Sequence, residues 1–112
     1  MSELKWDREF ALEQAGQDEE LLAELVQLFI ETSVEDLGKI QAALSAGDAQ
    51  GMADAAHSIK GAAASLGIED IRKAAHEIEK AGRNEEIEKA SGSLPDLTNF
   101  FLITTNLQPF LR

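Results

Sequence analysis

Three residues in the middle of the chain, His57, Lys60 and Gly61, have the types and the spacing that suit phosphoryl transfer. A neutral imidazole is a nucleophile that can attack phosphorus and hold a phosphoryl group as a phosphoramidate. Lys60 lies one helical turn from His57 and can place its ammonium group beside the added negative charge. Gly61 lies four residues from His57 and removes a side chain that would crowd the transferred group or a docked partner. The spacing therefore favours His57 as a carrier of a phosphoryl group.

The apolar residues around His57 repeat with the period of a helix. Met52, Ile59 and Leu66 mark an apolar stripe, which alanines widen at positions 55, 56, 62 and 63. At about 100° per residue, His57 lies about 160° from Ile59 and faces away from the core. The outward face predicted for this helix consists of Gln50, Ala53, Asp54, His57, Lys60, Gly61 and Ala64. The small residues on that face would form a low surface from which the imidazole protrudes.

Two plainer interpretations of His57 compete with a chemical one. A histidine in an alanine-rich helix can be a satisfied core residue, but its angle from the apolar stripe argues against that. It can also belong to a tolerant solvent-exposed face, and spacing alone leaves that interpretation open. The combination of His57 with Lys60 and Gly61 favours the chemical interpretation.

The rest of the chain predicts the helices that must hold this one in place. Aspartates stand where the first three helices would begin, and glycines stand where they would end. Residues 91–95 interrupt the helical pattern before the last helix, and a proline is well suited to the first helical position. The β-branched run 103–105 also fits a strand, although a lone strand would have nothing to pair with. The predicted helices run from Asp7 to Ala15, Asp18 to Gly47, Asp48 to Gly67, Glu69 to about Gly82, and Pro95 to about Pro109, the last with a core face of Leu97, Phe100, Phe101 and Thr104.

Short links between these helices require neighbours to run antiparallel. We therefore predict an all-α fold, an antiparallel up-down four-helix bundle with a short extra N-terminal helix. No linker or repeat divides the chain, so residues 1–112 are expected to form a single domain of that kind.

Composition and charge argue against several classes of function. The formal net charge of -11 argues against nucleic-acid binding, because phosphate backbones need clustered basic residues. No apolar run approaches the roughly 20 residues that span a bilayer, and the first residues lack the pattern of a signal peptide. The absence of cysteine agrees with a cytoplasmic location and excludes a thiolate metal site. We expect a cytoplasmic monomer that binds no nucleic acid, membrane, metal or cofactor.

The charge is unevenly distributed along the chain. Residues 1–48 carry a net charge of -9, whereas residues 49–112 carry -2. Six of the ten basic residues lie between positions 60 and 89. A partner with an acidic docking site would therefore meet less repulsion near His57 than elsewhere.

The segment His57-Ser58-Ile59-Lys60-Gly61-Ala62-Ala63, followed by Leu66-Gly67, resembles the signature of histidine-containing phosphotransfer (HPt) domains. These domains are four-helix intermediates of bacterial phosphorelays. The family pattern is a histidine, a lysine three residues later, a glycine next, two small residues, and an apolar residue and glycine that end the helix. Every one of these positions matches. The helical pattern of the family is matched over about residues 18 to 90. The interruption of the helical pattern at residues 92–95 departs from the long final helix that is usual in the family.

The resemblance implies that His57 accepts a phosphoryl group from a receiver-domain aspartate of a response regulator and passes it to another receiver. A hybrid histidine kinase is a further candidate partner. The resemblance also implies that the receiver supplies Mg²⁺ and the catalytic groups, so that this chain is a phosphocarrier and not an enzyme.

The resemblance further suggests which residues surround His57. In the family, a glutamine or glutamate on the following helix often hydrogen-bonds near the histidine, and Glu79 can occupy that place. Helical angles agree, because Glu79 lies about 40° from Ala75 at the edge of the core stripe. Ser65 is expected to help hold this contact. An ordinary surface acid remains an alternative for Glu79. The partner is expected to contact Ala53, Asp54, Ala64 and Ser65.

Several alternatives remain beside the phosphorelay interpretation. His76 has Glu79 and Lys80 at the positions where His57 has lysine and glycine, so we interpret it as a surface histidine. The chain could be the substrate domain of a chemotaxis-type histidine kinase, although such kinases carry their domains on one long chain. A phosphorylation-silent adaptor would not need His57 or Lys60. A metal site built on His57 and His76 lacks an evident third ligand.

Overall fold

A computed structural model describes residues 6–107 and the side chains of residues 6–99. Five α-helices and a short 3-10 turn occupy most of this part of the chain, which contains no strand. The all-α fold predicted from the sequence is thus confirmed. No helix within residues 6–107 has the length and apolarity needed to cross a membrane. The helices are α1 (Arg8–Gln14), α2 (Glu19–Ala46), α3 (Ala49–Ser65), α4 (Glu69–Arg83) and α5 (Ala90–Leu107), with the 3-10 turn at Ile87–Lys89.

Side-chain caps fix the ends of the long helices where the sequence predicts them. The Asp18 carboxylate accepts hydrogen bonds from the backbone N–H groups of residues 20 and 21 at the start of α2. The Asp48 carboxylate accepts one from Gly51 at the start of α3. Gly47, between the two helices, adopts the left-handed conformation with φ of 71°. The two aspartate caps satisfy backbone N–H donors that the first turn of each helix leaves unpaired.

The third helix lies between two others and supplies much of the core. It packs against α2 and, more extensively, against α4, while α5 packs against α4 and α2. Burial of the apolar stripe confirms the predicted inner face of α3. The buried stripe residues of α3 and its cap are Met52, Ala55, Ala56, Ile59, Ala63 and Leu66.

The close approach of α3 and α4 at Gly82 corrects one prediction. A Cβ atom on Gly82 would lie 2.7 Å from the Ala49 carbonyl oxygen and 2.8 Å from the Ala53 Cβ. Ala53 is consequently 0% exposed. The prediction that Ala53 lies on the outward face is therefore wrong, because the period of α3 gives angles around that helix but not how far α4 covers it.

The segment before α1 lies across the end of α3. The Trp6 indole Nε1 donates a hydrogen bond to the Leu66 carbonyl at 2.8 Å, and the Asp7 N–H donates one to the Gly67 carbonyl at 2.9 Å. Gly67 has φ of 68°, and a Cβ there would lie 3.0 Å from the Asp7 carbonyl oxygen. Glycine at this position therefore ends α3 and leaves room for the N-terminal segment.

The last helix begins earlier than predicted. It runs from Ala90 through Pro95, so Pro95 is an internal residue and not the first one. Proline lacks the N–H that would bond to the Ser91 carbonyl, but Ser91 is exposed and water can solvate that carbonyl. Leu97 is fully buried, as predicted, while the side chains predicted for its core face at Phe100, Phe101 and Thr104, and the predicted end at Pro109, lie outside the described residues.

Candidate functional site

His57 stands on the outer face of α3, opposite the buried Ile59. Its side chain is 61% exposed, whereas Ile59 is 0% exposed. This geometry agrees with the angle of about 160° between the two positions. It removes the alternative in which His57 is a buried core residue.

Glu79 on α4 connects His57 to Lys60. Glu79 Oε2 lies 2.9 Å from His57 Nδ1, and Glu79 Oε1 lies 2.5 Å from Lys60 Nζ. The residue is only 8% exposed, so its carboxylate is held between the two helices and is not an ordinary surface acid. The structure thus brings together three of the predicted site residues, His57, Lys60 and Glu79.

The charge state of Glu79 determines which nitrogen of His57 is free. Burial by itself would raise the pKa of the Glu79 carboxyl, but hydrogen bonds from Lys60 and then from His57 outweigh burial and hold the pKa below its usual value. Glu79 is therefore an ionised acceptor at neutral pH, and His57 Nδ1 must be the donor in their hydrogen bond. In the neutral ring the lone pair then lies on Nε2, the nitrogen that Glu79 does not occupy.

Arg83 is a second cation beside the site, and it was not among the predicted site residues. Its Nη1 lies 3.1 Å from Asp54 Oδ1 and its Nη2 lies 3.6 Å from Glu79 Oε2. Gln50 also donates a hydrogen bond to Asp54 Oδ1 at 2.9 Å. The hydrogen bonds from Gln50 and then Arg83 lower the pKa of the exposed Asp54 carboxyl. The spacing of Arg83 four residues after Glu79 is the signal that could have identified it.

Gly61 leaves open space next to His57. A Cβ atom built on Gly61 would meet nothing within 4 Å, and Gly61 and Ala64 are both exposed. A glycine in the interior of a helix normally costs stability relative to alanine. The packing of this chain therefore gives no reason for glycine at position 61.

An apolar hollow lies between α2 and the end of α3. Its volume is about 220 Å³, and Leu28 at its edge is 57% exposed. Ser65 belongs to this hollow, and its hydroxyl donates a hydrogen bond to the Ala62 carbonyl at 2.7 Å. The prediction that Ser65 helps to hold the Glu79 contact is therefore wrong, because its hydroxyl bonds back to its own helix. The lining residues are Leu25, Leu28, Phe29, Thr32, Ala62, Ser65 and Leu66.

His76 differs from His57 in its surroundings. It is exposed on α4, and no hydrogen bond or ion pair involves it within the described part of the chain. Residues 6–107 also contain no group of three histidine, cysteine or carboxylate side chains placed to hold a metal ion. Of the two histidines, only His57 has an ordered acidic partner among the residues that the structure describes.

Comparison with known families agrees with this arrangement. The sequence profile of the family described as the Hpt domain matches residues 24–107, well over half of the chain. The chain belongs to the Hpt domain family. The match contains His57, Lys60, Glu79 and Arg83, and thus the whole candidate site of this Hpt chain.

Solved structures with a similar fold include two bacterial Hpt proteins. The histidine-containing phosphotransfer protein B (HptB) of Pseudomonas aeruginosa PAO1 has a TM-score of 0.86 and 27% identity, with 95% of this chain and 92% of that chain covered. The HPT domain of a Shewanella Hpt sensor hybrid histidine kinase has a TM-score of 0.71 and 22% identity, with 96% and 90% covered. At that identity, the Shewanella domain indicates a shared fold alone.

A relative with a curated name is the phosphorelay intermediate protein rdeA of Dictyostelium discoideum. The two sequences are 29% identical over 93 residues, which is 83% of this Hpt chain. This Hpt chain spans 37% of the length of rdeA. The likeness therefore concerns the Hpt region and not the whole of that protein.

Proposed function

We propose that this Hpt chain is a phosphorelay intermediate in two-component signalling. His57 accepts a phosphoryl group from the aspartate of one receiver domain and passes it to the aspartate of another. The observation that carries the proposal is the exposed His57 ring, whose Nδ1 is held by the buried Glu79 so that Nε2 keeps its lone pair. Membership of the Hpt family and the likeness to a protein named a phosphorelay intermediate support it.

The proposed transfer step moves one phosphoryl group and no proton. The Nε2 lone pair forms a bond to phosphorus while the bond between phosphorus and the aspartate oxygen breaks, and the aspartate leaves with that electron pair as a carboxylate. The product ring carries phosphorus on Nε2 and a proton on Nδ1, so the ring becomes positively charged. The Glu79 carboxylate, 2.9 Å from Nδ1, stabilises that charge as it develops. Transfer to the second receiver reverses these changes.

Lys60 and Gly61 have separate roles in this step. The Lys60 ammonium group, already positioned by Glu79, lies one helical turn from His57 and favours the arriving negative charge. Gly61 keeps the surface beside the ring low, because a side chain there would project from the exposed face of α3. Lys60 thus stabilises the charge of the phosphoryl group, and Gly61 leaves room for the partner to approach.

The apolar hollow between α2 and α3 is the proposed docking surface for the receiver domain. Ala62 and Ser65 of the same helix that carries His57 line it, and the exposed Leu28 extends it along α2. A receiver docked here would bury these groups and leave Asp54 and Ala64 near the rim. The interface would then have the apolar centre and polar edge that are usual for protein–protein interfaces. In this proposal the receiver supplies Mg²⁺ and the catalytic groups, and the Hpt chain is a phosphocarrier.

Labelling from a phosphorylated receiver domain tests the proposal. The wild-type chain should acquire one phosphate that is labile in acid and stable in alkali, as expected of a phosphoramidate. His57→Gln should abolish the labelling. His76→Gln is the matched control, because His76 is exposed and lacks the Glu79 contact, and it should be labelled normally. Labelling that survives His57→Gln would overturn the assignment.

A further inference from the structure

Arg83 lies beside the site, although the transfer step described above does not use it. The Glu79 oxygen that accepts from His57 Nδ1 at 2.9 Å is also the oxygen that lies 3.6 Å from Arg83 Nη2. A single carboxylate oxygen therefore separates the guanidinium group from the imidazole ring. Asp54, the other partner of Arg83, lies one turn before His57 on α3, whereas Lys60 lies one turn after it. The partner of Arg83 and the residue Lys60 thus flank His57 along α3.

The contacts of Arg83 can be exchanged more readily than those of Lys60. Lys60 pairs with a buried carboxylate, whose charge requires a partner. The Arg83 and Asp54 side chains are 42% and 60% exposed, so water competes for both groups. If Arg83 left, Asp54 would keep its hydrogen bond from Gln50, and Glu79 would keep its hydrogen bond from His57 and its ion pair with Lys60. Separation of Arg83 from Asp54 would therefore leave no buried charge without a partner.

We propose that Arg83 is a second cationic ligand of the phosphoryl group on His57, and that Asp54 competes with the phosphoryl group for it. The inference rests on the proposed function. It adds that the exchange between Asp54 and the phosphoryl group helps to determine the equilibrium of phosphoryl transfer between His57 and the receiver. A phosphoryl group introduces a charge of about −1.5 to −2. A guanidinium group can bind two of its oxygens through parallel hydrogen bonds. Phosphorylation then replaces the Arg83–Asp54 ion pair with an Arg83–phosphoryl ion pair, and dephosphorylation restores the first.

A double-mutant cycle on the equilibrium of phosphoryl transfer tests this exchange. The full chain is mixed with a phosphorylated receiver domain, and the fraction of phosphate on each protein is measured at equilibrium for the wild type, Asp54→Asn, Arg83→Gln and the double variant. Arg83→Gln should shift the equilibrium about tenfold toward the receiver, because a charged ligand of the phosphate is lost. Asp54→Asn should shift it about threefold toward His57, because the competitor is lost. In the Arg83→Gln background, Asp54→Asn should have no effect.

Two further sets of variants distinguish ligand binding from a general charge effect. Arg83→Lys keeps the charge without the paired donors and should give an intermediate equilibrium. Glu69→Gln and Arg72→Gln remove the same kinds of charge from another ion pair of α4, at 2.8 Å, and should leave the equilibrium unchanged.

Each contrary outcome has a distinct meaning. An equal effect of Asp54→Asn with and without Arg83 would show that Asp54 acts through its charge alone, which would overturn the exchange. An unchanged equilibrium in Arg83→Gln would show that Arg83 is not a ligand. A wild-type chain that takes up no phosphate, or takes it up away from His57, would instead contradict the proposed function.

Discussion

The substitution Gly61→Ala tests whether glycine at position 61 is needed for the stability of the fold or for the docking of a partner. Gly61 is exposed in the interior of α3, and a Cβ there would meet no atom within 4 Å. Alanine is favoured over glycine in such a position by about 0.8–1.0 kcal/mol. The free energy of unfolding should rise by about that amount. For a domain of about 100 residues, this corresponds to a rise in melting temperature of roughly 4 °C or more.

The same methyl group should slow phosphoryl transfer. It would project from the exposed face one helical turn from His57, which is the face proposed to meet the receiver. A displacement of about 1 Å between reacting groups can lower a rate by about 100-fold. We therefore expect a chain that melts at a higher temperature and accepts phosphate about 100-fold more slowly. Thermal unfolding followed by circular dichroism and rapid-quench measurement of transfer would test the two effects on one sample.

Gly38→Ala is the matched control for this experiment. Gly38 is also exposed in the interior of a helix, and a Cβ there would likewise meet nothing within 4 Å. This variant should gain similar stability and transfer at the wild-type rate. Wild-type transfer in Gly61→Ala would refute the inference that the space is kept for the partner. A lower melting temperature would show that the fold itself requires glycine at 61.

Three further predictions follow from α4. Gly82→Ala should lower the free energy of unfolding by about 1–3 kcal/mol in denaturant titrations, because its Cβ would lie 2.7 Å from a backbone oxygen of α3; an unchanged midpoint would contradict that close packing. Glu79→Gln should slow transfer to His57 about tenfold, because an amide stabilises the charged ring less than a carboxylate does; single-turnover rates equal to wild type would exclude that role. Because the pKa of Glu79 is below its ordinary value of 4.5, its ionisation stabilises the folded chain above about pH 4.5, and this contribution is lost as the pH falls through the folded-state pKa. Melting temperatures of the wild type and Glu79→Gln should therefore converge on acidification, and a constant difference would contradict this coupling.

Local sequence signals were sufficient to predict most of the fold. Asp18, Asp48 and Gly47 mark helix ends through interactions with their immediate neighbours, which the sequence displays directly. The apolar stripe of α3 predicts which residues are buried because burial repeats with the helical period. The outward placement of His57 follows from the same period. The extent of the domain, residues 1–112, and the monomeric state stay predictions.

The errors concern three residues and have different physical causes. Ala53 has an outward angle on α3, but the absence of a side chain at Gly82 lets α4 cover it. Ser65 has a hydroxyl near the site in sequence, but that hydroxyl bonds within its own helix. Pro95 was expected to begin the last helix, whereas the helix begins at Ala90 and continues through Pro95, where both Ser91 and Pro95 are exposed residues.

The Asp54–Arg83 pair shows a different limit of sequence reasoning. Its members are 29 residues apart and on different helices. Helical periodicity places each one on its own surface but gives no distance between them. The pairing depends on the register of α3 against α4, which the close contact at Gly82 fixes in three dimensions.

The position of phosphorus on the imidazole ring tests the central claim most directly. The chain, labelled with ¹⁵N in its histidine rings and phosphorylated by a receiver domain, can be examined by ¹H–¹⁵N and ³¹P NMR spectroscopy. The contact between Glu79 and His57 Nδ1 predicts phosphorus on Nε2 of His57, with the Nδ1 proton retained. Phosphorus on Nδ1, or on His76, would contradict the assignment of the site.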